Sequence, residues 1–292
     1  MSKATRLREL LDGDELAVAP GVYDGISAAL VGKLGFSAAY MTGAGVCASA
    51  HGLPDIGLLT LTEMAGRAAV LTGLLDIPLI ADADTGYGSP INVVRTVCEF
   101  ERAGVAAIQL EDQVFPKRCG HLAGKEVVGA DEFARTLQAA VEARRDPDTV
   151  IVARTDARAT LGTDEAIARA NRYASIGADV IFVEAPQSVE EIEQIAAEVN
   201  APLLLNVVPG GRTPEVDHER LAELGYRIAI HPGAALAALV PAAIEALRGL
   251  RENTPALDGT ASPERFFDLF DLTGWDELGR RYTTTEERSP WG

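Results

Sequence analysis

Positive charge is scarce in this chain. Its 26 Lys and Arg residues stand against 43 Asp and Glu, a formal charge of −17 over 292 residues. Such a balance excludes general affinity for nucleic acid or an anionic membrane surface and fits a soluble or mildly halophilic acidic exterior. It also repels an anionic substrate, so a site for one has to supply local positive charge from a metal ion or a buried Arg. Cysteine is sparse too: Cys47, Cys98 and Cys119 are odd in number and far apart, which implies no disulfide framework. No run of about 18 apolar residues occurs, and Met1–Leu11 lacks an apolar signal core. A cytoplasmic protein with no membrane partner is therefore expected. Aromatics are only 5% of a chain that is 47% hydrophobic, leaving Ala, Val, Ile and Leu to fill the core.

The chain is longer than a usual single domain, but barrels often run this long as one unit. Eight short apolar runs are each followed by a segment of helical period: Leu16–Pro20, Ala38–Thr42, Pro78–Asp82, Ala107–Glu111, Val150–Arg154, Asp179–Glu184, Pro202–Val207 and Arg227–His231. Continuous apolar runs suit strands buried on both faces of a parallel sheet. Between them, Thr60 with Glu63 and Ser188 with Glu191 have capping-box spacing. Val189, Ile192, Ile195, Ala196 and Val199 share one helical face, as do Ile91, Val94, Val97 and Cys98. Gly35, Gly104, Gly177 and Gly225 each stand where a helix ends in a left-handed residue. No GxGxxG follows the first run, which weakens an open dinucleotide-binding sheet. Eight similar units predict closure into a (β/α)₈ TIM barrel over residues 1–250. Residues 251–292 read as a C-terminal extension whose amphipathic stretch, Pro263–Tyr282, must cover its own barrel or a neighbouring subunit.

In such a barrel the reactive groups gather at the C-terminal ends of the strands. Here those ends carry Tyr40 and Thr42, Asp82 and Asp84, Glu111 to Gln113, Arg154 to Asp156, Glu184, and Asn206. Asp82 and Asp84, two apart, are expected to project to the same side, with Glu111 on the next strand. Three adjacent carboxylates repel one another unless a cation intervenes, and oxygen ligands select Mg²⁺ or Mn²⁺. Cys119 lies between Arg118 and His121 on a loop of about residues 115–129 able to close over the mouth, in the surroundings of a reactive thiol; Cys47 and Cys98 look like inert packing. His51 and His218 read as solvated or structural. His231, at the end of strand eight, is expected to face the mouth.

These motifs, with Gly21–Asp24, Gly52–Asp55, the Lys117–His121 run and Ala153–Ala157, resemble the phosphoenolpyruvate mutase/isocitrate lyase family along nearly the whole chain. The resemblance implies a Mg²⁺-dependent (β/α)₈ barrel acting on a small oxyacid, as a homotetramer whose C-terminal helix is exchanged between subunits. Lys-Arg-Cys-Gly-His marks its carbon–carbon lyases and sets aside the phosphonate mutases and hydrolases. It further implies Asp82 and Asp84 as metal ligands, with Asp55 and Glu111 holding metal-bound water. Thr42, Gly43, Ala44, Gly120, His121, Arg154 and Asn206 would bind carboxylate and oxo groups, and Glu184 would orient substrate and Arg154. Cys119 would be the acid, and Tyr40 the base or proton relay. The implied reaction cleaves C2–C3 of a 2-hydroxy or 2-oxo dicarboxylate. The methylisocitrate-cleaving branch carries an additional Arg after strand eight, where this chain has Gly233–Leu239 without a cation. A smaller dicarboxylate such as 2,3-dimethylmalate is therefore expected, with oxaloacetate and 2-methylisocitrate as alternatives.

Overall fold

The computed structural model describes residues 1–120, 122, 124–254 and 262–282. After helix α1 (Lys3–Asp12), eight parallel strands alternate with helices. They are β1 (Ala17–Val22), β2 (Ala39–Met41), β3 (Leu79–Asp82), β4 (Ala107–Glu111), β5 (Val150–Thr155), β6 (Val180–Val183), β7 (Leu203–Asn206) and β8 (Tyr226–His231). They pair in chain order, and β8 returns to β1 to close the barrel. Each expected run became a strand, because only a parallel strand covered on both faces needs an unbroken apolar sequence.

Side-chain alternation then divides the core in two. Ala19, Tyr40, Ile80, Val152, Phe182, Leu204 and Ile228 belong to an inner cluster that includes Leu7 and Leu11 of α1. Their strand neighbours Met41, Ala81, Ala153, Ile181, Val183, Leu205 and Ala229 belong to the outer cluster packed against the helices. Carried toward the C-terminal strand ends, the inner series changes from apolar to polar: Ile80 leads to Asp82, Ala107 to Gln109 and Glu111, Val152 to Arg154, Phe182 to Glu184, and Leu204 to Asn206. The strand period thus aims polar groups from five strands into one mouth. By the same alternation His231 stands on the outward face with Ala229, away from the mouth. Its Nε2 lies 3.1 Å from Nε2 of His218.

The crossovers show how far pattern reading reached. Helix α4 (Leu61–Leu74) opens with the reciprocal Thr60–Glu63 box. At α9 (Val189–Glu198) only half the box forms: Ser188 accepts from Glu191 N–H, while the Glu191 carboxylate takes Gln187 N–H and Arg158. The buried face of α5 (Pro90–Arg102) is Val93, Thr96, Val97 and Phe100, which keeps only Val97 of the expected face. Ile91 is 80% exposed and Val94 41% exposed. A helix turned by about 100° per residue buries Phe100, the largest apolar side chain it has, and that choice rotates Ile91 outward.

The chain forms two compact units, Met1–Leu239 and Val240–Gly292; helix α11 (Ala234–Arg251) begins in the first and ends in the second. In the second, the expected amphipathic stretch is interrupted. Helix α12 (Pro263–Phe267) and a 3₁₀ turn precede Asp271, whose φ of 56° breaks the run before α13 (Leu272–Tyr282). Phe266, Phe267, Trp275 and Tyr282 are exposed there. No helix among the described residues is long and apolar enough to cross a membrane.

One buried carboxylate joins β4, β5 and helix α8 (Thr163–Ile176). Asp112 accepts from Thr155 Oγ1 at 2.7 Å, Asp156 N–H at 2.9 Å, Arg169 Nη1 at 3.0 Å and Tyr173 Oη at 3.1 Å. Removing it strands the Arg169 charge. Asp112→Ala is expected to cost about 3–5 kcal/mol in urea unfolding, as for breaking a buried pair from one side, and Asp112→Asn clearly less.

Candidate functional site

At the mouth two charge clusters meet. The first surrounds Lys117, whose side chain is 3% exposed and whose ammonium lies 2.5 Å from Asp55 Oδ1 and 2.8 Å from Asp84 Oδ1. Asp82 accepts from Asp84 N–H at 3.1 Å and from Gln109 Nε2 at 3.3 Å. The two aspartates do not share a strand face as the spacing suggested. Strand pairing ends at Asp82 opposite Gln109, and Asp84 follows in left-handed backbone with φ 48°. The chain still brings the carboxylates together: a Cβ on Gly43 would sit 2.8 Å from Asp82 Oδ2 and 3.6 Å from Asp84 Oδ1. Thr42 caps the short helix α3 (Gly43–Val46), accepting from Gly45 N–H, with Ala44 half-buried within it. A π-helical turn, Cys47–His51, follows.

The second cluster surrounds Arg154. Its guanidinium grips Asp156 with two bonds, Nε to Oδ2 at 2.9 Å and Nη2 to Oδ1 at 3.1 Å. The same guanidinium lies 3.4 Å from Glu111 Oε2, 3.7 Å from Glu184 Oε2, and 5.1 Å over the Phe182 ring. Asn206 Nδ2 reaches Glu184 Oε2 at 3.4 Å. Lys125, its side chain 2% exposed, sits 2.7 Å from Asp156 Oδ1 and donates to the Gly120 carbonyl. The Gly120 backbone packs close against both side chains: a Cβ there would lie 2.5 Å from Arg154 Nη2 and 2.5 Å from Glu184 Oε1, so either would have to shift. Beside it Cys119 is half-buried. The segment is tied back through Gln113, which exchanges two 2.9 Å hydrogen bonds with the backbone of Arg118. His121 lies outside the described residues.

Burial dominates the titration of these groups. It pushes Asp84 up to about 6 against the pull of Lys117, and Glu111 well above the usual carboxylate range against Arg154 and Lys117. Burial raises Asp156 as well, but Arg154 and Lys125 outweigh it and hold that carboxyl at about 2. Tyr40 donates to Gln109 Oε1 at 3.1 Å. Its phenol is pushed well above its ordinary value by burial and by Asp82, so alone it stands as a donor. It can accept a proton only once added positive charge offsets those carboxylates.

The donor set suits a hard divalent cation. Asp82, Asp84, Asp55 and Glu111 offer only oxygen, and neither Glu111 oxygen has a hydrogen-bond partner among the described residues. As they stand, no three such groups among the described residues are gathered to hold an ion, and the Lys117 ammonium holds Asp55 and Asp84 instead.

The sequence pattern assigns no role to either buried lysine or to Gln109. A signal existed: the chain contains only four lysines, and two of them, Lys117 and Lys125, fall eight residues apart in one glycine-rich segment.

Comparison with known proteins agrees with this geometry. Residues 7–251 match the family model described as phosphoenolpyruvate phosphomutase. The chain is 45% identical to 2,3-dimethylmalate lyase of Eubacterium barkeri, over 97% of this chain and 99% of that protein. It is 43% identical to 2-methylisocitrate lyase of Aeropyrum pernix, over 94% and 88% respectively. The solved structure of oxaloacetate acetylhydrolase with the inhibitor 3,3-difluorooxalacetate superposes with a TM-score of 0.93 at 41% identity, covering 98% of each chain.

Calorimetric titration with Mn²⁺ should find one site per chain, weakened roughly 100-fold or more by Asp84→Ala, since losing even an outer partner of a metal site costs 10–100-fold. Unchanged affinity in that variant would move the cation elsewhere.

Proposed function

From the premise that this chain belongs to the phosphoenolpyruvate phosphomutase family, we propose that it is a divalent-metal-dependent oxo-acid lyase cleaving C2–C3 of a small 2-hydroxy dicarboxylate of the 2-alkylmalate type. The observation that carries this is the mouth itself. A buried Arg154 cation, gripped by Asp156 and lying beside Glu184, is overlaid by the Gly120 backbone next to the Cys119 thiol. The names of the relatives at 45% and 43% identity support the same chemistry.

Asp82 and Asp84 would hold Mg²⁺ or Mn²⁺, with Asp55 and Glu111 around it; when bound, the ion supplies positive charge for the substrate's 2-oxygen and adjacent carboxylate. Arg154 faces the charge that develops as the bond breaks, in a site where low polarity strengthens it. Glu184 and Asn206 set the orientation of substrate and guanidinium, and Thr42, Gly43, Ala44, Gly120 and His121 bind its carboxylate and oxo groups. Tyr40, as the phenolate that the added charge of a bound cation would allow, takes the 2-hydroxyl proton on Oη. The C2–C3 electron pair passes to C3, and the Cys119 Sγ–H proton passes to that carbon. The products are a 2-keto acid and a saturated carboxylic acid; for 2,3-dimethylmalate, pyruvate and propionate. Returning the proton from Tyr40 to Cys119 restores the enzyme.

The start of α11, Ala234–Leu239, carries no cationic side chain. Burying a third carboxylate there without a partner would cost several kcal/mol, which favours a dicarboxylate with an apolar substituent. The exposed Phe266, Phe267 and Trp275 of residues 251–292 support a homotetramer in which this extension covers a neighbouring subunit.

The test compares kcat/KM for 2,3-dimethylmalate, oxaloacetate and 2-methylisocitrate under one set of conditions. The expected order places 2,3-dimethylmalate first by about tenfold, the scale of one or two methyl groups in an apolar pocket. A tenfold preference for 2-methylisocitrate would overturn the dicarboxylate argument, and a preference for oxaloacetate would make the 2-oxo acid the substrate.

A further inference from the structure

Cys119 and Gly120 belong to no helix or strand, yet a proton donor must be held within about 0.5 Å of its working position. The geometry points to Lys125 as a positioning residue that fastens the Cys119–Gly120 segment to the Asp156–Arg154 pair, so that the acid is held beside the substrate-binding cation.

The contact has a fixed end in the barrel and a loop end. Asp156 is the fixed one: Arg154 grips it at 2.9 and 3.1 Å, and its own N–H donates to buried Asp112 at 2.9 Å. Gly120 is the loop end, in a segment outside any helix or strand that is also held by the Gln113–Arg118 hydrogen bonds and by Leu122 N–H donating to the Cys119 carbonyl at 2.9 Å. The Lys125 ammonium joins them, 2.7 Å from Asp156 Oδ1 and donating to the Gly120 carbonyl. The position it enforces is specific, since a Cβ at Gly120 would sit 2.5 Å from both Arg154 Nη2 and Glu184 Oε1. A lysine whose side chain is only 2% exposed loses the solvation of its charge, and that cost is offset only while both partners stay in place. A lysine that merely neutralised Asp156 would not need the Gly120 carbonyl. Being bonded to that carbonyl, it also resists any outward displacement of the residue next to the thiol.

Lys125→Met keeps the volume and removes the ammonium. Three measurements on the full chain decide the matter: site-resolved alkylation of Cys119 by iodoacetamide, kcat and KM on the best acid of the substrate panel, and Tm. Alkylation should be about tenfold faster and kcat about 10²-fold lower with KM within about threefold, the scale of misplacing a catalytic group by about 1 Å. Lys125→Arg should restore part of both effects, and Lys125→Gln takes the place of the Met variant if that chain does not fold. Unchanged alkylation overturns the proposal, as does a raised KM at unchanged kcat or a lowered Tm with both other readouts unmoved. Only the kinetic arm rests on the lyase assignment. Faster alkylation in a protein inactive on every acid would sink that assignment and uphold the tether; normal lyase kinetics with unchanged alkylation would sink the tether alone.

Discussion

Six carboxylates share the buried end of this barrel with three cations. Asp55, Asp82, Asp84, Glu111, Asp156 and Glu184 face Lys117, Lys125 and Arg154, every side chain at most 12% exposed. Like charges this close in a medium of low polarity repel strongly, and each cation is bound where it relieves most. Arg154 and Lys125 converge on Asp156 and leave it ionised. Lys117 divides itself between Asp55 and Asp84. Glu111 lies 3.4 Å from the Arg154 guanidinium, yet neither of its oxygens has a hydrogen-bond partner among the described residues, and burial holds its proton well above the usual carboxylate range. A divalent ion among these oxygen donors would add positive charge to the cluster.

The same arrangement explains how an acidic protein can take a dianionic substrate. The net charge of −17 repels an anion, while Arg154, Lys117 and Lys125 gather positive charge at the mouth. The Gly120 backbone covers the guanidinium from the loop side, leaving little water beside it. Low local polarity then strengthens the electrostatics of the site.

How much of this was legible in the sequence depends on the kind of constraint. Parallel strands buried on both faces leave an unbroken apolar signature, and all eight were placed within two residues; Ala107–Glu111 matched at both ends. The polar ring followed, because strand period and the barrel's C-terminal rule together select Asp82, Glu111, Arg154, Glu184 and Asn206. The α5 face was misread since Ile91 and Val94 satisfy a helical period as well as Val93 and Val97 do, and only packing chooses between them. His231 was misplaced by one residue of alternation. Lys117 and Lys125 were missed for a deeper reason: their partners are 62 and 31 residues away, and no local pattern distinguishes a lysine that folds inward from one in solvent.

The central claim is that a carbanion is formed by breaking a carbon–carbon bond and is protonated by a group held on one of its faces. Turnover of 2,3-dimethylmalate in D₂O, followed by NMR and chiral analysis of the acid product, tests it directly. Pyruvate together with a single enantiomer of 2-deuteriopropionate is the expected result. Racemic deuteriopropionate would show that water, not the loop thiol, delivers the proton, and no keto acid from any member of the panel would contradict the lyase assignment itself.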